Sequence, residues 1–128
     1  MKLLIDTNRY RDFCAADPQT VDWVQRADEI GLPFVCLAEL RAGFLCGTQG
    51  RRNESVLVRF LNRPRVRVFY ADEDTTHHYA RLFQQLRVQG TPIPTNDIWI
   101  AAIAKRHGLP VYTRDEHFEA VPGLLLVP

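Results

Sequence analysis

The chain has 128 residues and a formal net charge of +1, a size that fits one domain with a sizeable core. Hydrophobic residues make up 46% and charged residues 24%, as in ordinary globular proteins, and no apolar run approaches the ~20 residues of a membrane-spanning helix. The first residues, MKLLIDTN, reach an aspartate too early for a secretory signal peptide. We therefore expect a cytoplasmic protein with no membrane partner.

The basic residues and the cysteines limit the kinds of partner. Of the 16 basic residues, only Lys2 and Lys105 are lysine. Arginine binds phosphate with two hydrogen bonds and stacks on bases, which suits a nucleic-acid partner, although a genome rich in arginine codons would give the same bias. The three cysteines have no CxxC spacing, so we expect free thiols rather than a zinc site or disulfides.

Two hydrophobic periodicities alternate along the chain and predict strands separated by helices. Strands are predicted at residues 2–6, 32–36, 66–70, 109–113 and 124–127. Helices are predicted from Pro18, capped by Asp17, to Ile30 with Gly31 as the stop, then over 37–45, 53–61, 74–90 and 96–107, with a flexible loop at 47–55. This order predicts one domain over residues 1–128, a three-layer α/β/α sandwich with a central, mostly parallel sheet.

Four acidic residues fall where such folds bind ligands, at the carboxyl ends of the parallel strands. Asp6 closes the first predicted strand, Glu39 lies in the first turn of the helix after the second strand, and Asp115 follows the fourth strand by two residues. Strand connectivity places these three at one edge of the sheet. Asp97 lies in the first turn of the last helix, which has no strand of its own before it, so its placement depends on the helix start alone.

Carboxylates gathered in one cleft repel each other, and such a cluster needs protons or cations to be stable. Mg²⁺ and Mn²⁺ accept oxygen ligands and can activate a water molecule and polarise a phosphodiester oxygen. Taken singly, each acid also has a structural explanation: an N-cap for Asp6, the helix dipole for Asp97, an ion pair for Glu39 and a turn for Asp115. Their coincidence at one edge favours a metal-dependent phosphodiesterase.

Four segments carry a family resemblance: LIDTN, LAELRAG, PTNDIWIAAIAKRHGLP and VYTRDEHF. In this order and at this spacing they resemble the PIN-domain family, in particular the VapC-like toxins of bacterial toxin–antitoxin pairs, from Leu3 to the end of the chain. The resemblance implies a PIN-like fold and an endoribonuclease that cuts single-stranded or loop RNA, with tRNA and ribosomal RNA both possible. It also implies a homodimer that is inhibited by a small cognate antitoxin.

The resemblance also implies roles for particular residues. Asp6, Glu39, Asp97 and Asp115 would bind Mg²⁺ or Mn²⁺, and Thr113 would support that site. Asn8 and Asn96 match polar neighbours in the same motifs, and their roles are left open.

Several residues near these motifs have more than one interpretation. Arg9 departs from the aliphatic residues common in relatives, and it would meet either substrate phosphate or a carboxylate. His117 follows Asp115 closely and could reach the site, although we expect it to pack instead. A further set of arginines forms either an RNA-backbone surface or a solvated face: Arg51, Arg52, Arg63, Arg65 and Arg67.

Three other functions fit a chain of this length and order. The first is a PIN-type RNA-processing nuclease outside toxin–antitoxin systems. The second is a receiver-like phosphoacceptor module, which would need paired acids after the first strand and a lysine after the last. The third is a binding protein with a vestigial acid cluster.

Overall fold

The computed structural model describes residues 1–128 throughout. The elements follow one another as β1 (Lys2–Ile5), α1 (Thr7–Cys14), α2 (Pro18–Arg26), β2 (Glu29–Pro33), α3 (Phe34–Cys46), α4 (Gly50–Leu61), β3 (Val66–Phe69), α5 (Glu73–Val88), α6 (Thr95–His107) and β4 (Val111–Tyr112). A short 3-10 helix, Glu116–Ala120, comes after β4. None of the helices combines the length and the apolar character that a membrane span requires.

The four strands form one parallel sheet in the order β3-β2-β1-β4. Leu3, Leu4 and Ile5 of β1 are all 0% exposed. Since consecutive strand residues point to opposite faces of a sheet, both faces must be covered. The predicted α/β sandwich with a parallel sheet is therefore confirmed.

The strand order reverses beside β1, and this reversal positions the functional residues. The chain runs from β1 through β2 to β3 on one side, and it then returns to place β4 on the other side of β1. Ile5 pairs with Tyr112, and the Asp6 amide donates to the Tyr112 carbonyl at 3.0 Å. The residues that follow β1 and β4 thus meet at a switch point, which is where open α/β sheets bind their ligands.

Helix α6 is the most deeply buried helix, as its sequence predicted. Its apolar side chains from Ile98 to Ala104 are almost all within the core, with Ile100 and Ile103 at 0% exposure. The helix ends at Gly108, whose φ of 65° is the left-handed conformation that favours glycine. Because the body of α6 is fixed in the core, its first turn is held rigidly at the surface of the molecule.

The second strand was predicted too late in the chain, and the helix before it too long. Helix α2 ends at Arg26 and β2 begins at Glu29, so Ile30 and Gly31 belong to the strand. A Cβ atom on Gly31 would lie 2.6 Å from side-chain atoms of both Leu4 and Phe69, which shows that this glycine allows close strand packing rather than ending a helix. The apolar run continues from β2 directly into α3, so hydrophobicity alone could not locate the boundary.

Three further predictions were wrong in detail. Helix α1 was missed because only Thr7 and Tyr10 are buried in an otherwise polar segment. The predicted loop over 47–55 is mostly helical, since α4 begins at Gly50. The predicted last strand is reduced to a single bridge between Val111 and Leu126.

Candidate metal centre

Asp6 is the most buried of the four predicted acids, at 5% exposure. It caps α1, because its Oδ1 accepts a hydrogen bond from the Thr7 amide at 2.7 Å. Its Oδ2 accepts one from the Thr113 hydroxyl at 2.8 Å. These donors hold a buried carboxylate in one orientation, beside the carboxyl end of β4.

Thr113 links Asp6 to Asp115. Its Oγ1 accepts hydrogen bonds from the Asp115 amide at 3.0 Å and from the Asn8 amide group at 3.3 Å. The same Asn8 nitrogen lies 3.3 Å from Asp6 Oδ2, and Asn8 Oδ1 accepts from the Arg114 amide at 3.2 Å. Asn8, whose role the sequence left open, thus ties the start of α1 to the segment that follows β4.

Glu39 approaches from α3 and lies in the second turn of that helix, not the first, because α3 already begins at Phe34. Its Oε2 accepts a hydrogen bond from the Thr7 hydroxyl and its Oε1 accepts one from the Asn96 amide, both at 3.2 Å. Asn96 precedes Asp97 in α6. The two contacts therefore join Glu39 to Asp6 on one side and to the first turn of α6 on the other.

Asp97 lies in the first turn of α6, as predicted, and its side chain is 13% exposed. Its Oδ2 is 3.0 Å from Nδ1 of His117, which is also 3.1 Å from Asp115 Oδ1. Ligand atoms of Asp97, Asp115 and His117 all lie within 4.8 Å of one another. The expectation that His117 packs away from the site was wrong, because the 3-10 helix after Asp115 turns its ring towards both acids.

The structure therefore brings all four predicted acids into one network of polar contacts. Asp97 and Asp115 are close neighbours through His117, whereas Asp6 and Glu39 join them through the hydroxyls of two threonines. Sequence reasoning named Thr113 but missed Thr7. The available signal was its place directly after the capping Asp6, where a helix begins at the edge of the sheet.

No lysine or arginine forms an ion pair with any of these four acids. The nearby Arg9 and Arg114 instead bind Asp12, at 3.2 Å and 2.8 Å. This settles the question about Arg9, whose partner is a carboxylate outside the cluster, and its guanidinium also lies 4.5 Å from the centre of the Tyr112 ring. The acid cluster is left with one titratable nitrogen partner, His117.

Burial and crowding alter the pKa values in the cluster. Burial raises the pKa of the Asp97 carboxyl to about 6, and repulsion from Asp115 and Asp6 acts in the same direction, while the hydrogen bond with His117 opposes it. The hydrogen bond with Asp97 and the charge of Asp115 raise the pKa of His117. Beneath the acids, burial raises the pKa of the Cys36 thiol, which donates to Asp6 Oδ1 at 3.7 Å and stays neutral.

The donor set fits a hard divalent cation. It consists of carboxylate oxygens, with one imidazole nitrogen at the rim, and it carries negative charge that the chain itself does not neutralise. Mg²⁺ and Mn²⁺ prefer such oxygen ligands, whereas the thiol of Cys36 is neutral and too enclosed to serve a softer metal.

Three of the arginines that were candidates for an RNA surface instead contact other residues of the chain. Arg65 donates to the Val24 carbonyl at 3.1 Å, and Arg67 pairs with Glu29 at 3.8 Å. The Arg63 guanidinium lies 5.5 Å from the centre of the Phe13 ring. All five arginines are exposed, but Arg51 and Arg52 in α4 form no ion pair with another residue.

Comparison with known proteins identifies the family of this chain. The family model for the PIN domain matches residues 3–124, and the chain belongs to the PIN-domain family. Within it, ribonuclease VapC5 of Mycobacterium tuberculosis is 33% identical over 96 residues, covering 75% of this chain and 71% of the relative. The plasmid stability protein StbB of Pseudomonas syringae pv. tomato is 34% identical over 125 residues, covering 88% and 87%.

Solved structures agree with this assignment. VapBC-1 from nontypeable Haemophilus influenzae superposes with a TM-score of 0.88 at 25% identity, covering 99% of this chain and 97% of that one. FitAcB from Neisseria gonorrhoeae gives a TM-score of 0.77 at 29% identity, covering 100% and 98%. The resemblance to VapC-like toxins is confirmed, and the receiver-like interpretation is replaced.

Proposed function

We propose that this chain is a divalent-metal-dependent endoribonuclease and the toxin of a toxin–antitoxin pair, which cuts RNA phosphodiesters at the cluster of Asp6, Glu39, Asp97 and Asp115. The observation that carries the proposal is the charge of this cluster. Four carboxylates meet at the switch point of the sheet, and neither lysine nor arginine neutralises them. VapC-named ribonucleases among the relatives support RNA as the substrate class.

The four carboxylates would hold Mg²⁺ or Mn²⁺. When bound, the cation supplies charge for the developing phosphorane oxygens and makes water a stronger nucleophile at neutral pH. The chain's own contribution is orientation. Thr113 and the Thr7 amide fix the two oxygens of Asp6, and Thr7 and Asn96 fix those of Glu39. Locked ligands of this kind lower the cost of ordering the site for the reaction.

The partner in this proposal is a cognate antitoxin protein, and the working assembly is a homodimer. The support is that the structural neighbours include VapBC and FitAB toxin–antitoxin complexes. The substrate is an RNA such as tRNA or ribosomal RNA, since PIN-type specificity depends on loop shape and contacts beyond the acids. A short reading frame beside the gene, whose product co-purifies with the chain and blocks cleavage, is the expected finding.

The test is RNA cleavage by the purified chain and by its Asp97→Asn variant, with and without EDTA. We expect cleavage with Mg²⁺ or Mn²⁺, and a loss of roughly 100-fold or more in the variant, because charge stabilisation by a metal contributes several kcal/mol. Asp74→Asn is the matched control, because Asp74 is an exposed acid that pairs with Arg106 away from the cluster. Sequencing of the cleaved ends identifies the RNA. Full activity in EDTA, or in Asp97→Asn, would rule out the proposed chemistry.

A further inference from the structure

A cavity of about 430 Å³ lies between α1, α3 and α4, on the flank of the acid cluster. Arg11 and Arg52 line it together with the amides of Gln49 and Asn53, and no carboxylate takes part. Both arginines are exposed. Unlike the arginines that bind carboxylates elsewhere in the chain, neither has an acidic partner, so the cavity carries positive charge that nothing in the chain neutralises.

The position of Arg11 relative to the acids follows from two contacts between α1 and α3. Thr7 of α1 donates to Glu39 of α3 inside the cluster. Four residues further along both helices, Nη2 of Arg11 lies 3.4 Å from the position that a Cβ atom on Gly43 would occupy. Four residues are about one helical turn, or roughly 5.4 Å. The guanidinium of Arg11 therefore lies against α3 about one turn beyond Glu39.

Gly43 is the residue of α3 that the Arg11 guanidinium approaches. Gly43 is in the interior of α3, where glycine is less favourable than alanine. The Arg11 guanidinium lies against α3 at this glycine, where a Cβ atom would make an ordinary contact of 3.4 Å with Nη2 and a longer side chain would take the same space. All five N–H donors of that guanidinium remain free for a ligand.

We infer that this cavity binds the phosphate backbone of the substrate RNA, with Arg11 on a phosphate beside the one that is cut and Arg52 on the next one along the strand. The inference rests on the proposed function. One helical turn is close to the step between consecutive phosphates of an extended single strand, and guanidinium groups bind phosphate with two hydrogen bonds. Arg11 and Arg52 are thus substrate-binding residues that position the strand, and the chemistry belongs to the acids.

The experiment measures RNA binding without cleavage. All variants are made in the Asp97→Asn chain, and a fluorescein-labelled oligouridylate is titrated at several salt concentrations by fluorescence anisotropy. We expect Arg11→Gln to weaken binding about tenfold, because a hydrogen bond to a charged group is lost. The slope of log K against log salt should also fall by about 0.7, the value for one phosphate contact on a single strand. Arg52→Gln should have the same kind of effect, and Arg11→Lys should keep most of the slope.

The matched control is Arg87→Gln in α5, which removes an exposed arginine that has no acidic partner and lies outside this cavity. It should leave the salt slope unchanged. If Arg11→Gln fails to fold by circular dichroism, Gly43→Leu provides a second route, because it fills the guanidinium's place while keeping the charge, and it should weaken binding in the same way.

Two results overturn the inference. The first is an affinity and a salt slope for Arg11→Gln and Arg52→Gln that match those of Arg87→Gln. The second is unchanged RNA binding with weakened antitoxin co-purification, which would assign the cavity to a polypeptide. Either result leaves the proposed function intact, since that proposal fails only through cleavage that is independent of metal or of Asp97.

Discussion

Acidic side chains at the two ends of α6 have opposite electrostatic environments. At the C-terminal end, Arg106 lies 3.2 Å from Asp74 and 3.6 Å from Asp72, and hydrogen bonds from Thr75, followed by the charge of Arg106, lower the pKa of Asp72. At the N-terminal end, burial and neighbouring acids raise the pKa of Asp97. The contacts of Arg106 with Asp72 and Asp74 are ordinary surface ion pairs, in which residues of the same chain balance each other's charge.

The difference shows what separates structural acids from candidate metal ligands. Acids that serve the fold are balanced by arginines of the same chain, and this chain places such arginines beside Asp12, Glu54 and Asp74. The acids at the switch point have oriented hydroxyl and amide donors but no arginine. Neutral hydrogen-bond donors fix the geometry of the carboxylates but do not balance their negative charge. That charge can then be balanced by a cation that binds from outside the chain.

The largest expected difference between the two ends is in stabilisation by metal. A cation that binds only the folded chain stabilises it by about 2.7 kcal/mol at 100 times its Kd, which corresponds to a rise in Tm of several degrees for a domain of this size. We expect Mg²⁺ or Mn²⁺ to raise the Tm of the wild type and of Asp74→Asn by similar amounts. Asp97→Asn should lose most of the rise in a thermal melt. Equal rises in all three proteins would show that the cation binds elsewhere.

A smaller effect is expected from pH in the metal-free chain. Asp97 titrates near 3.8 when unfolded and near 6 when folded, so the folded chain binds an extra proton between these values. Stability should fall as the pH rises through this window, and the penalty is fully present above about pH 6. The raised pKa of His117 acts in the same direction, because its favourable charge is lost as the pH rises further.

Asp97→Asn removes this penalty, so in EDTA the variant should be more stable than the wild type above about pH 6, by about 2 kcal/mol at most after solvent screening. The difference should vanish below about pH 4. Urea unfolding at several pH values measures it. A variant less stable than the wild type in EDTA at neutral pH would mean that Asp97 serves the fold.

Much of the site could be predicted because strand connectivity decides it. Asp6 and Asp115 follow neighbouring strands, and Glu39 follows the next strand, so a parallel sheet brings them to one edge whatever the exact boundaries. An error of three residues in placing β2 moved Glu39 from the first turn of α3 to the second without changing its edge. Asp97 had no strand before it, and its position was supported only by the start of its helix and by the family pattern.

What the sequence could not provide were the contacts that depend on side-chain direction. Whether His117 faces the core or the acids is set by the 3-10 helix that starts at Glu116, a turn with no hydrophobic periodicity to predict it. The roles of the arginines were equally hidden, because Arg65 and Arg11 look alike in sequence. Arg65 is held by backbone carbonyls, whereas Arg11 is exposed and its guanidinium lies beside Gly43 of α3.

The smallest expected effect compares two threonines, one at each region. Thr113 donates to Asp6, and Thr75 donates to Asp72 at 2.7 Å in the capping box of α5. Valine is similar in size to threonine but lacks the hydroxyl, so either replacement removes one hydrogen-bond donor from a carboxylate. The expected cost is about 1 kcal/mol in the free energy of unfolding. We expect Thr113→Val and Thr75→Val to lower stability by similar amounts in EDTA.

The two variants should differ once metal is added. Thr113→Val removes the shorter of the two hydrogen bonds to Asp6 Oδ2, and loss of a partner that orients a metal ligand typically weakens metal binding 10- to 100-fold. Thr75→Val should bind the cation like the wild type, and isothermal titration with Mn²⁺ makes the comparison. Equal affinity in both would mean that the remaining donors, the Thr7 amide, Asn8 and Cys36, hold Asp6 without Thr113.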